Sequence, residues 1–260
     1  MQRTKLKILL WMPVFDSIPP EQFEALMQTQ RRALENKTPT QLDFCIPKRN
    51  TIVQARNEIL RQAVEWEYDF LVWIDDDNPC YEPYYMIEDL IKTYDSNRDI
   101  HVVSGLIKSR DGSHRTIYSR VGDALNDIPQ YESFIPTQDT DPAKERPIFQ
   151  TDAVWFWLVL MDKESYTSVY KKYHGFPVGQ WLTAYCSVQD IEDPNKLYVM
   201  ELADAITYNP TGIILKLGYA HLSENFMFWS RLQAIDPRYA PRVQPSVRCF
   251  HISKTYVDAK

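Results

Sequence analysis

The sequence predicts an α/β protein built on a central, mostly parallel sheet flanked by helices, and three observations predict it. Short apolar runs of strand length alternate with amphipathic helical stretches through residues 6–107, the order expected of a helix-covered parallel sheet. The 260-residue chain carries 44% hydrophobic and 25% charged residues, the composition of a globular protein with a substantial core. Its third strand-like run, "FLVWI", stops on the aspartates Asp75, Asp76 and Asp77, and open α/β sheets bind ligands at the carboxyl ends of their strands.

Taken in order, "LKILLWMPV" (6–14) reads as a buried strand ending near Pro13. A Pro-rich start then leads into a helix, where Phe23, Leu26, Met27 and Leu34 mark an apolar stripe. "LDFCI" (42–46) is the second strand. A helix capped at Asn50 or Thr51 follows and spaces Ile52, Ala55, Ile59, Ala63 and Trp66 along one face. Residues 70–74 form the third strand, about 83–94 a helix and 100–107 the fourth strand. Residues 108–150, charged and without clear periodicity, read as a long insertion over the site. "TDAVWFWLVLM" (151–161) is strand-like, "DKESYTSVYKKY" helical and 174–222 ambiguous. A helix near "SENFMFWSRLQ" and the closing "PSVRCFHIS" complete an irregular C-terminal half.

Several function classes lose ground on composition. A net charge of −6 disfavours a surface devoted to nucleic acid. The four cysteines, Cys45, Cys80, Cys186 and Cys249, form no C-x-x-C pair, so neither zinc nor a disulfide framework is signalled. We therefore expect a reducing compartment and a soluble, cytoplasmic protein. No stretch approaches the roughly 18 apolar residues of a membrane span, and Pro13 interrupts any signal-peptide core.

Like charges packed as closely as Asp75–Asp77 need a cation or hydrogen-bond donors among them. If the strand pleat continues, Asp75 and Asp77 point the same way and offer hard oxygens to Mg²⁺ or Mn²⁺. The alternative is an acidic loop that caps the following helix. Residue spacing leaves both open.

Seven segments in order resemble the glycosyltransferase family 2-like enzymes of the GT-A fold. "LLWMPVFDSIPP" looks like their first strand and nucleotide loop, "QARNEIL" like their Ala-Arg-Asn helix and "FLVWIDDDNP" like their Asp-x-Asp strand end. "VVSGLIKSR" and "TDAVWFWLVLMDKE" are similar to the next two strands, and "LSENFMFWSRL" and "VQPSVRCFHIS" to the Glu-Asp helix and terminal strand. The resemblance implies a single GT-A domain over 1–260, with 1–107 as its nucleotide-binding half and 108–260 as its acceptor-binding half. It implies transfer of a sugar from a nucleotide diphosphate donor, a UDP-sugar being favoured, to a hydroxyl acceptor. Asp16, Arg56, Asp75 and Asp76 are then donor-binding, and Asp77 and His251 hold Mn²⁺ or Mg²⁺. The late histidine tilts the choice toward Mn²⁺. A base must take the acceptor proton.

The chain departs from the family where the Glu-Asp pair reads Glu224-Asn225, because an amide cannot take that proton. Glu224 or Asp152 acts instead, or configuration is retained, or the domain is an inactive binding module. Trp155 and Trp157 replace small residues and are expected on one strand face as a stacking wall for an acceptor. A basic cluster of Lys108, Arg110, His114, Arg115 and Arg120 would face an anionic acceptor, with Arg110 its representative. Modified nucleic acid is the less favoured acceptor, beside a glycan. A nucleotidyltransferase is the enzymatic alternative, but "WMPVFDSIPP" lacks the glycines of a phosphate loop. His101, His114, His174 and His221 have no motif context and are expected to be structural.

Overall fold

A computed structural model describes residues 5–14, 17–35, 40–47, 52–108, 117–124, 128–133, 147–173, 183–189, 197–201, 213–220, 224–250 and 252. The first half follows the predicted alternation: β1 (Leu6–Trp11), α1 (Pro20–Glu35), β2 (Thr40–Cys45), α2 (Ile52–Glu65), β3 (Phe70–Ile74), α3 (Met86–Asp95) and β4 (Val102–Lys108). Next come β5 (Ile117–Ala124), β6 (Ile128–Ser133), β7 (Phe149–Gln150), β8 (Ala153–Val154), β9 (Leu158–Asp162) and α4 (Lys163–Tyr173). The chain continues through β10 (Thr183–Gln189), β11 (Leu197–Glu201), β12 (Ile213–Ala220), α5 (Glu224–Gln233) and a 3-10 turn at Pro237–Tyr239 to β13 (Arg242–Phe250).

Seven strands form the central sheet in the order β2-β1-β3-β9-β4-β13-β7. β1 is parallel to β2 and β3, and β13 is parallel to β4. β9 runs antiparallel between β3 and β4, and β7 antiparallel to β13. Five strands therefore end at one edge of the sheet, which is the GT-A-like α/β architecture the sequence predicts. Strands from 1–107 and from 108–260 share this sheet.

Alternation along β1 divides the core between the faces. Ile8 and Leu10 pack with Leu26, Met86 and Leu90 beneath α1 and α3. Leu9 and Trp11 pack with Ile59, Tyr166 and Trp229 beneath α2, α4 and α5. Burial on both faces explains why "FLVWI" is uninterrupted by polar residues.

Four expectations are corrected. The inward face of α1 carries Gln22, Ala25, Leu26 and Thr29, while Phe23, Met27 and Leu34 are 55%, 47% and 74% exposed. Hydrogen bonds from the Gln22 amide to the Asp75 carbonyl and from the Thr29 hydroxyl to the Pro83 carbonyl turn the polar residues inward. Trp66 lies beyond α2, 58% exposed, because the helix ends in a Schellman turn. There Tyr68 N–H bonds the Ala63 carbonyl and Glu67 adopts φ 55°. The insertion contains a hairpin, β5–β6, which also pairs with β8; its charges and Pro129 mask the strand pattern. Residues 151–161 are two strands broken at Trp155–Trp157.

The cysteine reading is also corrected. Cys80 and Cys249, 169 residues apart in sequence, form a disulfide. Separation hides such a pair from any spacing rule, and its presence removes the ground for expecting a reducing compartment. Among the described residues no helix is long and apolar enough to cross a membrane. β13 reaches β4 because Gly105 has no side chain. A Cβ there would lie 2.8 Å from Leu158 Cδ2 and 3.0 Å from the Val247 carbonyl oxygen, where the β4–β13 register shifts.

At the opposite edge from the aspartates, Asp162 fastens three elements. It accepts from Ser165 N–H at 2.9 Å, starting α4, faces His101 Nδ1 at 2.9 Å and accepts from the Tyr94 hydroxyl at 3.3 Å. Burial first, then the Asp162 carboxylate, push the Tyr94 phenol up to about 12, so it remains a donor at neutral pH. His101 is thus structural, as expected. Asp162→Ala should cost about 2–4 kcal/mol in urea unfolding, from a lost cap and orphaned buried partners. A loss under about 0.5 kcal/mol, the range of an ordinary surface substitution, would contradict this role.

Candidate active site

The site begins where β3 ends. Strand geometry stops at Ile74 and Asp76–Asp77 form a turn, so the pleat that would align Asp75 with Asp77 does not extend to them. All three aspartates are half-buried. Their backbone is held from three directions. Asp75 N–H donates to the Trp157 carbonyl at 3.4 Å, Gln22 Nε2 donates to the Asp75 carbonyl at 3.2 Å, and Ile252 N–H donates to the Asp77 carbonyl at 2.8 Å.

The last contact belongs to an antiparallel pairing of residues 77–81 with 248–252. Phe250 N–H bonds the Pro79 carbonyl at 3.1 Å and Tyr81 N–H bonds the Arg248 carbonyl at 2.9 Å, with Cys80 opposite Cys249 between them. The end of the terminal strand is thereby brought to the aspartate loop. His251 itself lies outside the described residues, as do Asp16 and Arg110. Phe250 and Ile252, on either side of His251, make two of these three bonds.

Asn78 is fully buried. Its Nδ2 donates to Asp77 Oδ1 at 2.7 Å, which leaves Oδ1 buried with no hydrogen-bond partner among the described residues. Asp77 therefore stands beside an orphaned amide oxygen, both of them hard oxygen donors. Among the described residues no group of three or more His, Cys, Asp or Glu forms a cage for a metal. Mg²⁺-type ions commonly take only one or two carboxylates and complete their shell with water and phosphate oxygens, and the residues present fit that pattern. A cavity of about 570 Å³ opens beside the loop, between Tyr81, Met86, Asp89 and Arg248.

The aromatic turn at 155–157 links the aspartates to α5. Trp155 and Trp157 stack with centroids 5.8 Å apart, and Trp155 Nε1 donates to the Tyr118 hydroxyl. Phe226, in the first turn of α5, packs on Tyr118 at 4.8 Å and Trp155 at 6.5 Å. The helix is fixed from behind by Trp229 Nε1 to the Val154 carbonyl and Gln233 Nε2 to the Asp152 carbonyl. Glu224 opens α5, whose first turn is linked to the Asp75 backbone through Phe226, Trp155 and Trp157 in turn. The expected adjacency of Trp155 and Trp157 holds, but in a turn and not on a strand face.

Two other predicted residues are differently placed. Arg56 is 7% exposed, its guanidinium carbon 4.4 Å from the Phe156 ring centroid beneath the turn. Asp152 Oδ2 accepts the Arg120 backbone N–H at 2.8 Å, tying β5 to the loop before β8. Sequence reasoning missed Gln22, Asn78 and the cysteine pair. A polar residue at an inward helical position, and cysteines adjoining both "DDDNP" and "FHIS", were the only signals.

Neither a known protein family nor a curated protein matches the sequence. Among solved structures, the chain is similar to A197 from STIV, at TM-score 0.55 and 12% identity over 95% of this chain and 86% of that one. Weaker likenesses are to a glycosyltransferase involved in the glycosylation of the major capsid of PBCV-1 and to a putative glucose-1-phosphate thymidylyltransferase from Bacillus anthracis. The first has TM-score 0.31 and 10% identity over 62% of each chain. The second has TM-score 0.35 and 10% identity over 62% of this chain and 74% of that one. The similarity to A197 supports the fold alone.

A cation–π contact at a buried site is worth about 0.5–2 kcal/mol. A double-mutant cycle of Arg56→Met and Phe156→Leu should return a coupling of that size in unfolding free energy. Strict additivity would show that Arg56 does not support the tryptophan turn.

Proposed function

We propose that the protein is a metal-dependent glycosyltransferase that moves a sugar from a nucleotide diphosphate donor, a UDP-sugar by preference, to a hydroxyl acceptor. The observation that carries this reading is the aspartate loop at the carboxyl edge of the sheet, pinned there by the terminal strand and linked to the start of α5 through Trp157, Trp155 and Phe226. Open α/β sheets bind nucleotides at that edge.

In this reading Asp77 and His251 hold Mn²⁺ or Mg²⁺, and Asp75 and Asp76 orient the ribose and base. A bound divalent cation supplies charge stabilisation for the departing nucleoside diphosphate. Trp155 and Trp157 form one wall of the acceptor site. Glu224, at the first position of α5, takes the acceptor proton. Asp152, one of whose carboxylate oxygens accepts the Arg120 N–H, is the alternative base. Asp16 is assigned to the donor on sequence resemblance, and Arg110 to an anionic acceptor as a member of the basic cluster.

A panel of nucleotide sugars, assayed for nucleoside diphosphate release with and without Mn²⁺, tests the reading. Stimulated release from one donor is expected, and Asp77→Ala should abolish the stimulation. Near-normal Mn²⁺ dependence in that variant would contradict the assigned site. Glu224→Gln should lower turnover by about 10²–10⁴-fold while donor binding persists. No release from any donor, with nucleotide binding retained, would favour an inactive binding module, the outcome to which Asn225 points.

A further inference from the structure

We propose that the Cys80–Cys249 disulfide positions the donor site: it locks the aspartate loop to the terminal strand, and its reduction loosens donor binding while the sheet stays folded. The ligand in this statement rests on the reading above; the movement does not.

The placement of the bond carries the inference. It lies within the pairing of residues 77–81 with 248–252, flanked by the Pro79–Phe250 and Tyr81–Arg248 hydrogen bonds. That pairing lays the 77–81 loop along the side of Arg248–Phe250 opposite to β4, with few hydrogen bonds of its own. Segments held by few hydrogen bonds open locally at low free-energy cost, and a covalent bond suppresses that opening. Asp77 lies three residues from Cys80 and Ile252 three from Cys249, within about 10 Å of chain in each case. Slack at the sulfurs is therefore delivered to the Asp77–Ile252 contact. Nothing comparable would reach β1, β3 or β9, whose ladders do not include this loop.

The cavity beside the loop gives a reductant its line of approach. Cys80 and Cys249 are 6% and 1% exposed, but both line the cavity of about 570 Å³. That space admits a small dithiol. One dithiol sulfur attacks a cysteine sulfur and breaks the Cys80–Cys249 bond. The second closes the reagent to a cyclic disulfide, so two electrons and two protons end on the paired cysteines as thiols.

The experiment compares the full chain oxidised, reduced with dithiothreitol, and as Cys80→Ser/Cys249→Ser. Non-reducing peptide mapping first establishes the bond; two free thiols at 80 and 249 in protein prepared without reductant would overturn the proposal. Amide hydrogen exchange should rise on reduction at Tyr81, Phe250 and Ile252, the amides that the two segments exchange, and stay protected in β1, β3 and β9. Binding of UDP with Mn²⁺, measured by calorimetry well below the melting temperature, should weaken by about tenfold or more. The double variant should match the reduced protein in both readouts and ignore dithiothreitol. A purely structural disulfide would lower the melting temperature and leave affinity unchanged, which would overturn the proposal. Absence of UDP binding in every state would contradict the donor reading, and exchange would then decide alone: opening confined to the two segments supports the lock, and unchanged exchange overturns it.

Discussion

Three carboxylates close a buried strand, and the fold fixes their backbone from three directions. Gln22 reaches down from α1, the Trp157 carbonyl accepts the Asp75 amide, and the Ile252 amide closes on Asp77. Each contact comes from a distant part of the chain. The position of the loop thus depends on α1, the 155–157 turn and the terminal strand together.

The less regular features of the fold serve those contacts. β9 runs antiparallel between β3 and β4, and this direction sends Trp157 past the end of β3 just before the strand begins. Gly105 lets β13 approach β4 with a register shift, so that its last residues overrun the sheet and meet the loop. Behind the turn, Phe156 touches Trp73, Phe228 and Trp229 within 5.0 Å between centroids. The aspartate loop is therefore backed by an aromatic cluster of the core. At the far edge, the Asp162 cluster seals the opposite ends of β4 and β9.

What the sequence disclosed depended on how local the cause was. β3 and its acidic end were legible because burial on both faces demands an unbroken apolar run. The helices of the first half were legible from their periodicity, but the inward face of α1 was not. Gln22 and Thr29 turn inward because of carbonyls more than fifty residues away. The β5–β6 hairpin was obscured by Pro129 and by the charged residues within both strands. Trp155 and Trp157 were singled out correctly as a pair, yet the break between β8 and β9 that stacks them follows from α5 docking on Val154 and Asp152. Cys80 and Cys249 illustrate the limit most clearly: their partnership exists only after β13 has been placed.

The most direct measurement is diffraction at the manganese absorption edge from crystals grown with UDP and Mn²⁺. An anomalous peak in contact with Asp77, with the diphosphate alongside it, is the predicted result. A well-ordered loop with no peak there, or a nucleotide bound away from the carboxyl edge of the sheet, would contradict the assignment of this loop as the donor site.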